Sequence, residues 1–318
     1  MQFAASRINR LRQSASVSIN QHRTSYSGEM NICKSFISNL VKSNKNRAQI
    51  FFARNISAEN VEFQEKKIRI GDNDINYLKT GNGPHNLLCM PGAVGSIWTD
   101  FTPQIKGLDK NLFTIIAWDP PGYGKSIPPY REFPLNFYEK DADLALLLMR
   151  ALEIQKFSLL GWSDGGISSM FLAAKYPEFV KKAVIWGANS FILNTELAGY
   201  EGLRDITTWS KRMKDPMIAL YGESYFAETM GKWADAMKNI HHENRGDICM
   251  SRLVQIQCPT LLLYGAKDGL VDPQHIAVLH SNIEHSITHI YPEGGHNIHL
   301  KYAEDFNKRV TEFLTKKD

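Results

Sequence analysis

The chain has 318 residues, 43% of them hydrophobic and 22% charged, enough for one large domain with an insertion and a sizeable core. No run of 18 or more apolar residues occurs, which excludes a membrane-spanning helix. The net charge of +4 is divided unevenly: residues 1–54 hold six Arg and three Lys against Glu29 alone, a net of +8, which leaves −4 on residues 55–318. A mildly acidic domain behind a basic leader gives no reason to expect a nucleic-acid surface.

The leader opens Met1-Gln2-Phe3-Ala4-Ala5-Ser6-Arg7-Ile8-Asn9-Arg10-Leu11-Arg12 and continues rich in Ser, Asn and Gln. Arg-rich, Ser-rich and acid-poor is the composition of a mitochondrial transit peptide, and the apolar stretch of a secretory signal is missing. Mitochondrial placement is therefore expected; the competing reading is a disordered basic tail with no address. Cys33, Cys89, Cys249 and Cys258 are scattered, with no C-x-x-C pair. Reduced thiols are expected, with no disulfide and no zinc. Cys89 lies in an apolar run and reads as a small core residue.

In chain order, Val61–Ile70 and Ile75–Lys79 read as a hairpin turned by Gly71-Asp72-Asn73-Asp74. Leu87–Met90 and Phe113–Trp118 are apolar throughout, as strands buried on both faces are. Residues 134–152 read as a helix with Leu144, Leu147, Leu148 and Ala151 on its apolar stripe. A strand over Phe157–Trp162, a helix to Tyr176 and a strand over Val180–Trp186 follow. The pattern breaks at about residue 190, and 190–250 read as amphipathic helices. Thr260–Gly265 restores the buried strand. A helix near 273–282, a strand near 286–291 and a closing helix near 301–316 complete the chain. Strands alternating with helices predict an α/β fold with a mostly parallel, doubly wound sheet. The core is 55–189 with 251–318, and 190–250 is a helical lid.

Gly161-Trp162-Ser163-Asp164-Gly165-Gly166 sits between a strand and a helix, the setting of a nucleophile elbow. A Ser hydroxyl needs a His base, and the His needs an acid to fix its tautomer. After the elbow, Asp268 follows the strand ending at Gly265, and His296 follows the last strand in Pro292-Glu293-Gly294-Gly295-His296. Asp272 is the competing acid, but ahead of Pro273 it suits a helix cap better. His299 is the competing base, but it stands nearer a helix onset, so His296 is preferred. The remaining histidines, His241, His242, His275, His280, His285 and His289, read as surface residues.

Acyl transfer also needs an oxyanion hole, worth about 3–4 kcal/mol per donor. Met90-Pro91-Gly92-Ala93 follows a buried strand, so the expected donors are the N–H groups of Ala93 and Asp164. The carboxylate of Asp164 stands beside the nucleophile. It suits either a structural role at a helix N-terminus or the binding of an ammonium group near the scissile carbonyl. Asp119-Pro120-Pro121-Gly122-Tyr123-Gly124-Lys125-Ser126 imitates a phosphate loop, but Asp119 stands where such a loop needs Gly.

These motifs, with Pro292-Glu293-Gly294-Gly295-His296-Asn297-Ile298-His299-Leu300, resemble the α/β-hydrolase superfamily. The chain is most similar to its biphenyl hydrolase-like, or valacyclovir hydrolase, family. The resemblance spans about residues 60–316. It enters the insertion at Tyr200-Glu201-Gly202-Leu203-Arg204-Asp205 and Ala219-Leu220-Tyr221-Gly222, where members of the superfamily diverge fastest. It implies the α/β-hydrolase fold, a mitochondrial esterase of α-amino acid esters, a triad of Ser163, Asp268 and His296, and Asp164 holding the substrate's α-ammonium group. No cofactor or metal is expected, nor any nucleic-acid or membrane partner, and the chain is expected to be a monomer. The rivals are a general carboxylesterase, a carbon–carbon bond hydrolase of the same fold and, remotely, a non-catalytic ligand-binding member.

Overall fold

The computed structural model describes residues 63–317; the basic leader and Cys33 lie outside them. The sheet has eight strands: β1 Glu65–Ile70, β2 Asn73–Thr80, β3 His85–Met90, β4 Phe113–Trp118, β5 Phe157–Trp162, β6 Val180–Trp186, β7 Thr260–Gly265 and β8 Ser286–Tyr291. Their spatial order is β1-β2-β4-β3-β5-β6-β7-β8. The β1–β2 and β2–β4 pairs are antiparallel, and every pair from β4 to β8 is parallel. The hairpin turns more tightly than its Gly71–Asp74 cluster predicts: Ile70 pairs Asn73, so Gly71 and Asp72 alone make the turn.

Each residue of β4 and of β7 is buried. Successive side chains of a strand point to opposite faces, so a parallel strand feeds two cores. Leu87 and Cys89 of β3 join Phe101, Ile115, Phe306 and Val310 on one face. Leu88 and Met90 join Ile116, Leu146, Ile167 and Leu172 on the other. Helices cover both faces: α1 Ile97–Gly107, α2 Phe137–Ala151, α3 Asp164–Lys175, α7 Gln274–Asn282, α8 Ile298–Lys301 and α9 Ala303–Thr315. Between β6 and β7 lie α4 Leu197–Gly202, α5 Lys211–Tyr221 and α6 Glu223–Glu243. The two ends of this helical insertion pair with each other: Phe191 bridges Asp247, and Ile192 N–H donates to Gly246 at 2.8 Å.

Four local expectations are corrected. Helix α1 has no counterpart in the sequence reading. Its interior Pro103 obscures the periodicity, yet Ser96 and Thr99 close a capping box and Ile97, Phe101, Gln104 and Ile105 share a buried face. Helix α2 forms where expected and buries Leu148 with Leu144 packed beside it, but Leu147 and Ala151 of the expected stripe face out. Tyr138, Ala142, Ala145 and Met149 are buried, while Leu147 is 46% exposed. The closing helix is broken at Tyr302 into α8 and α9. Finally, His275 is fully buried rather than on the surface. Its Nε2 lies 2.8 Å from Glu196 of the insertion, and its ring packs edge-on against Phe191. A buried carboxylate partner is what allows a polar ring inside.

Candidate active site

The carboxyl ends of β3, β5, β7 and β8 face one crevice, the end at which open α/β sheets hold ligands. Strand β5 delivers Ser163 to it. The chain reverses so sharply into α3 that Ser163 has φ +54° and ψ −124°, a region that side chains other than Gly avoid and that costs on the order of 1–3 kcal/mol. A strained serine at the tip of a strand–turn–helix is the geometry that exposes a nucleophile. Gly165 makes the turn feasible: a Cβ there would sit 2.0 Å from the carbonyl oxygen of Met90.

Two loops bring the partners. After β8, His296 sets its Nε2 3.1 Å from Ser163 Oγ. After β7, Asp268 sets Oδ2 2.9 Å from His296 Nδ1. The other oxygen of Asp268 accepts the N–H groups of Leu270 and Val271 at 2.9 and 3.2 Å, and its side chain is 1% exposed. Trp162 braces the base: its indole N–H donates to the carbonyl of His296 at 3.1 Å. A loop between glycine-containing turns can thus hold an imidazole in one orientation. The structure therefore joins Ser163, His296 and Asp268 in one hydrogen-bonded chain.

The competitors lie elsewhere. His299 is fully buried among Trp162, Trp186 and Phe101. Burial, and then the neighbouring His296, push its pKa down to about 3, and its Nδ1 accepts the Trp186 N–H at 2.9 Å. Asp272 accepts the N–H of Gln274, the first residue of α7, at 2.8 Å. Asp119 is buried and brackets loops, accepting the N–H groups of Ile97 and Lys125 at 2.8 Å each and the side chain of Asn76 at 2.8 Å. This explains its place in a segment that imitates a phosphate loop.

The turn after β3 fixes Ala93. Gly95 N–H donates to the carbonyl of Gly92 at 3.0 Å. In a trans peptide the N–H points opposite to the carbonyl, so that bond aims the Ala93 N–H away from Gly95. The turn lies against the elbow, since a Cβ on Gly92 would come within 3.3 Å of Ser163 Cβ. Asp100, buried in the first turns of α1, accepts the Gly92 N–H at 2.9 Å and the Thr99 hydroxyl at 2.7 Å. Burial raises its pKa to about 7. The Asp164 N–H is at the free N-terminal end of α3, where the helix dipole favours negative charge.

Asp164 is buried, and both its oxygens are held. Tyr138 OH donates to one at 3.0 Å and Trp233 Nε1 to the other at 2.9 Å. Burial raises its pKa to about 6, against the lowering effect of these two donors and of Arg131. Arg131 itself is paired in the core with Asp141, at 2.9 and 2.5 Å. Tyr138 and Trp233 are partners of Asp164 that the sequence reading missed. They stand 26 and 69 residues from Asp164, and no local pattern marks either.

A cavity of about 440 Å³ opens above these residues. Ser163, Asp164, His296 and Ala93 line its floor, and Trp209, Met213, Met217, Met230 and Met237 of the insertion line much of its wall. Among the described residues, no cluster of three or more His, Cys, Asp or Glu could hold a metal ion. No helix among them is long and apolar enough to cross a membrane.

Comparison with known proteins agrees with this fold. The α/β hydrolase fold family model matches residues 86–205 and 193–302. The human protein named serine hydrolase BPHL is 48% identical over 248 residues, covering 78% of this chain and 85% of its own. The 2-hydroxy-6-oxononadienedioate/2-hydroxy-6-oxononatrienedioate hydrolase of Escherichia coli K12 is 27% identical, over 81% of this chain and 94% of its own. The structure of a meta-cleavage product hydrolase from Pseudomonas fluorescens IP01 superposes with a TM-score of 0.65 at 21% identity, covering 80% of this chain and 98% of that one. The chain belongs to the α/β-hydrolase family.

Proposed function

We propose that this chain, a hydrolase of the α/β-hydrolase family, cleaves α-amino acid esters through an acyl-enzyme on Ser163. One observation carries the reading. The hydrogen-bonded chain from Asp268 through His296 to Ser163 opens into a cavity whose floor also holds the buried carboxylate of Asp164.

The chemistry follows from the geometry. His296 Nε2 takes the proton of Ser163 Oγ as the oxygen attacks the ester carbonyl, and Asp268 stabilises the resulting imidazolium. The N–H groups of Ala93 and Asp164 receive the negative charge that develops on the carbonyl oxygen. His296 then gives its proton to the departing alcohol, leaving an aminoacyl ester on Ser163. Water, deprotonated by the same imidazole, attacks that ester and releases the amino acid.

Asp164 supplies the selectivity. Its carboxylate is oriented by two donors inside a mostly apolar cavity, where a charge–charge contact is stronger than in water. An α-ammonium group lies two bonds from the reacting carbonyl, the reach that the residue next to the nucleophile offers. The Met-rich wall accommodates apolar side chains of varied shape. The Escherichia coli relative is named for dioates, which are dianions; the buried carboxylate of Asp164 in this cavity opposes such a substrate. The composition of residues 1–54 supports mitochondrial import as part of the proposal.

The test compares initial rates on a valine ester and its N-acetyl form, with wild type and Ser163→Ala. Turnover of the free-amine ester, lost by about 10³-fold or more in Ser163→Ala, is expected. Equal turnover of both esters would leave a general serine esterase. No turnover of either would favour the carbon–carbon hydrolase reading and then the binding protein.

A further inference from the structure

The cavity is electrically lopsided. Its two carboxylates, Asp164 and Asp100, are both buried. Among the lining residues Arg212 is the one Lys or Arg, and it is exposed at the rim. Among the described residues it has no hydrogen bond or ion pair. Arg212 lies in the first turn of α5, beside Met213, which also lines the cavity. Lys211 and Lys214 share its end of the helix, and no acid does. Asp215, one residue further on, is exposed and forms no ion pair with it. Arg212 thus lines the cavity with its guanidinium uncommitted. A guanidinium is built to take a carboxylate or a phosphate through two parallel hydrogen bonds.

We propose that Arg212 receives an anionic group, a carboxylate or a phosphate, on the alcohol half of the ester, so that the preferred substrate carries a positive charge at its acyl end and a negative one at its alcohol end. The inference rests on the amino acid ester reading. Asp164 adjoins Ser163 and so takes the acyl side of the scissile bond. The alcohol is then left to the rest of the cavity, whose lining includes Arg212 and Met213 of α5. A neutral alcohol leaves Arg212 in water and gains nothing from it. A dianionic acid would meet Asp164, so only a substrate with its charges separated satisfies both ends of the cavity.

The experiment uses valine esters of glycolic acid, of 2-hydroxyethyl phosphate and of glycolamide, the last being a neutral match for the first. Values of kcat/KM are measured at low ionic strength for wild type, Arg212→Gln and Arg212→Glu. Intrinsic reactivities cancel when the anionic-to-neutral ratio of each variant is compared with that of wild type. The ratio is expected to fall about fivefold in Arg212→Gln, the scale of one exposed ion pair, and further in Arg212→Glu. Added salt should compress the wild-type preference. A fall confined to the glycolate or to the phosphate ester names the anion. An unchanged ratio in both variants, with all esters turned over, overturns this inference alone. Failure to turn over any of the three overturns the esterase reading and this inference with it.

Discussion

At the scale of single residues, the sequence reveals groups whose chemistry depends on chain order and hides those that depend on packing. Ser163 and Asp268 follow recognisable buried strands and His296 follows the last strand, so their convergence at the carboxyl end of the sheet is readable from the pattern. Tyr138 and Trp233 are ordinary helix aromatics until α2 and α6 bring them onto Asp164. The charge on Asp164 is measurable through pH. As the pH falls through about 6, the value to which burial raises Asp164, its carboxylate gains a proton and loses its hold on an ammonium group. Below that point kcat/KM for a free-amine ester should fall more steeply than for the N-acetyl ester, by about a further tenfold at pH 5. Parallel acid limbs for the two esters would contradict this.

Asp100 makes a second prediction, this time of stability. In the fold its pKa is raised to about 7, whereas an unfolded Asp titrates near 3.9. The folded state therefore binds the proton more tightly, and stability falls as the pH rises from about 4 through 7. Asp100→Asn keeps an acceptor for the Gly92 N–H but removes the charge. Urea midpoints at pH 5 and pH 8 should show a wild-type loss exceeding that of the variant by on the order of 1–3 kcal/mol. Equal losses would show that the carboxylate carries no such penalty.

At the scale of elements, the buried strands were legible because they are continuous apolar runs, and α1 was not because Pro103 interrupts it. The inward face of α2 was misread in part. Leu148 is buried as its apolarity suggests, but Leu147 is exposed while the more polar Tyr138 and Asp141 are buried, each held by a partner distant in sequence or outside the helix: Asp164 for Tyr138 and Arg131 for Asp141. His275 shows the limit of reading a polar residue as exposed. Glu196, at the start of α4, joins the insertion to the loop that carries Asp268. Its Oε1 meets His275 Nε2 at 2.8 Å and accepts the Asp272 N–H at 3.2 Å, while Oε2 accepts the Leu193 N–H at 2.9 Å. Glu196→Ala strands these partners in a buried site and should destabilise by about 2–4 kcal/mol in urea. Glu196→Gln, which keeps part of the network, should lose less. Equal effects would mean that bulk, not hydrogen bonding, is what Glu196 provides.

At the scale of the whole molecule, alternation of strand and helix is enough to give the layered fold, because a parallel strand needs a crossover that returns on one face. Strand order is different: that β4 lies between β2 and β3 is decided by pairing across the sheet, which no local window contains. The same holds for the cavity, since its floor comes from loops after several strands of the core and much of its wall from the insertion. The central claim belongs at this scale, because it requires floor, wall and helix dipole to act together on one substrate. The most direct measurement is kcat/KM for a valine ester and its N-acetyl form in wild type and Asp164→Asn. The account predicts a large preference for the free amine in wild type, reduced at least tenfold in Asp164→Asn by loss of a contact between two charges. The same preference in both proteins would show that the ammonium group is held elsewhere and would contradict the account.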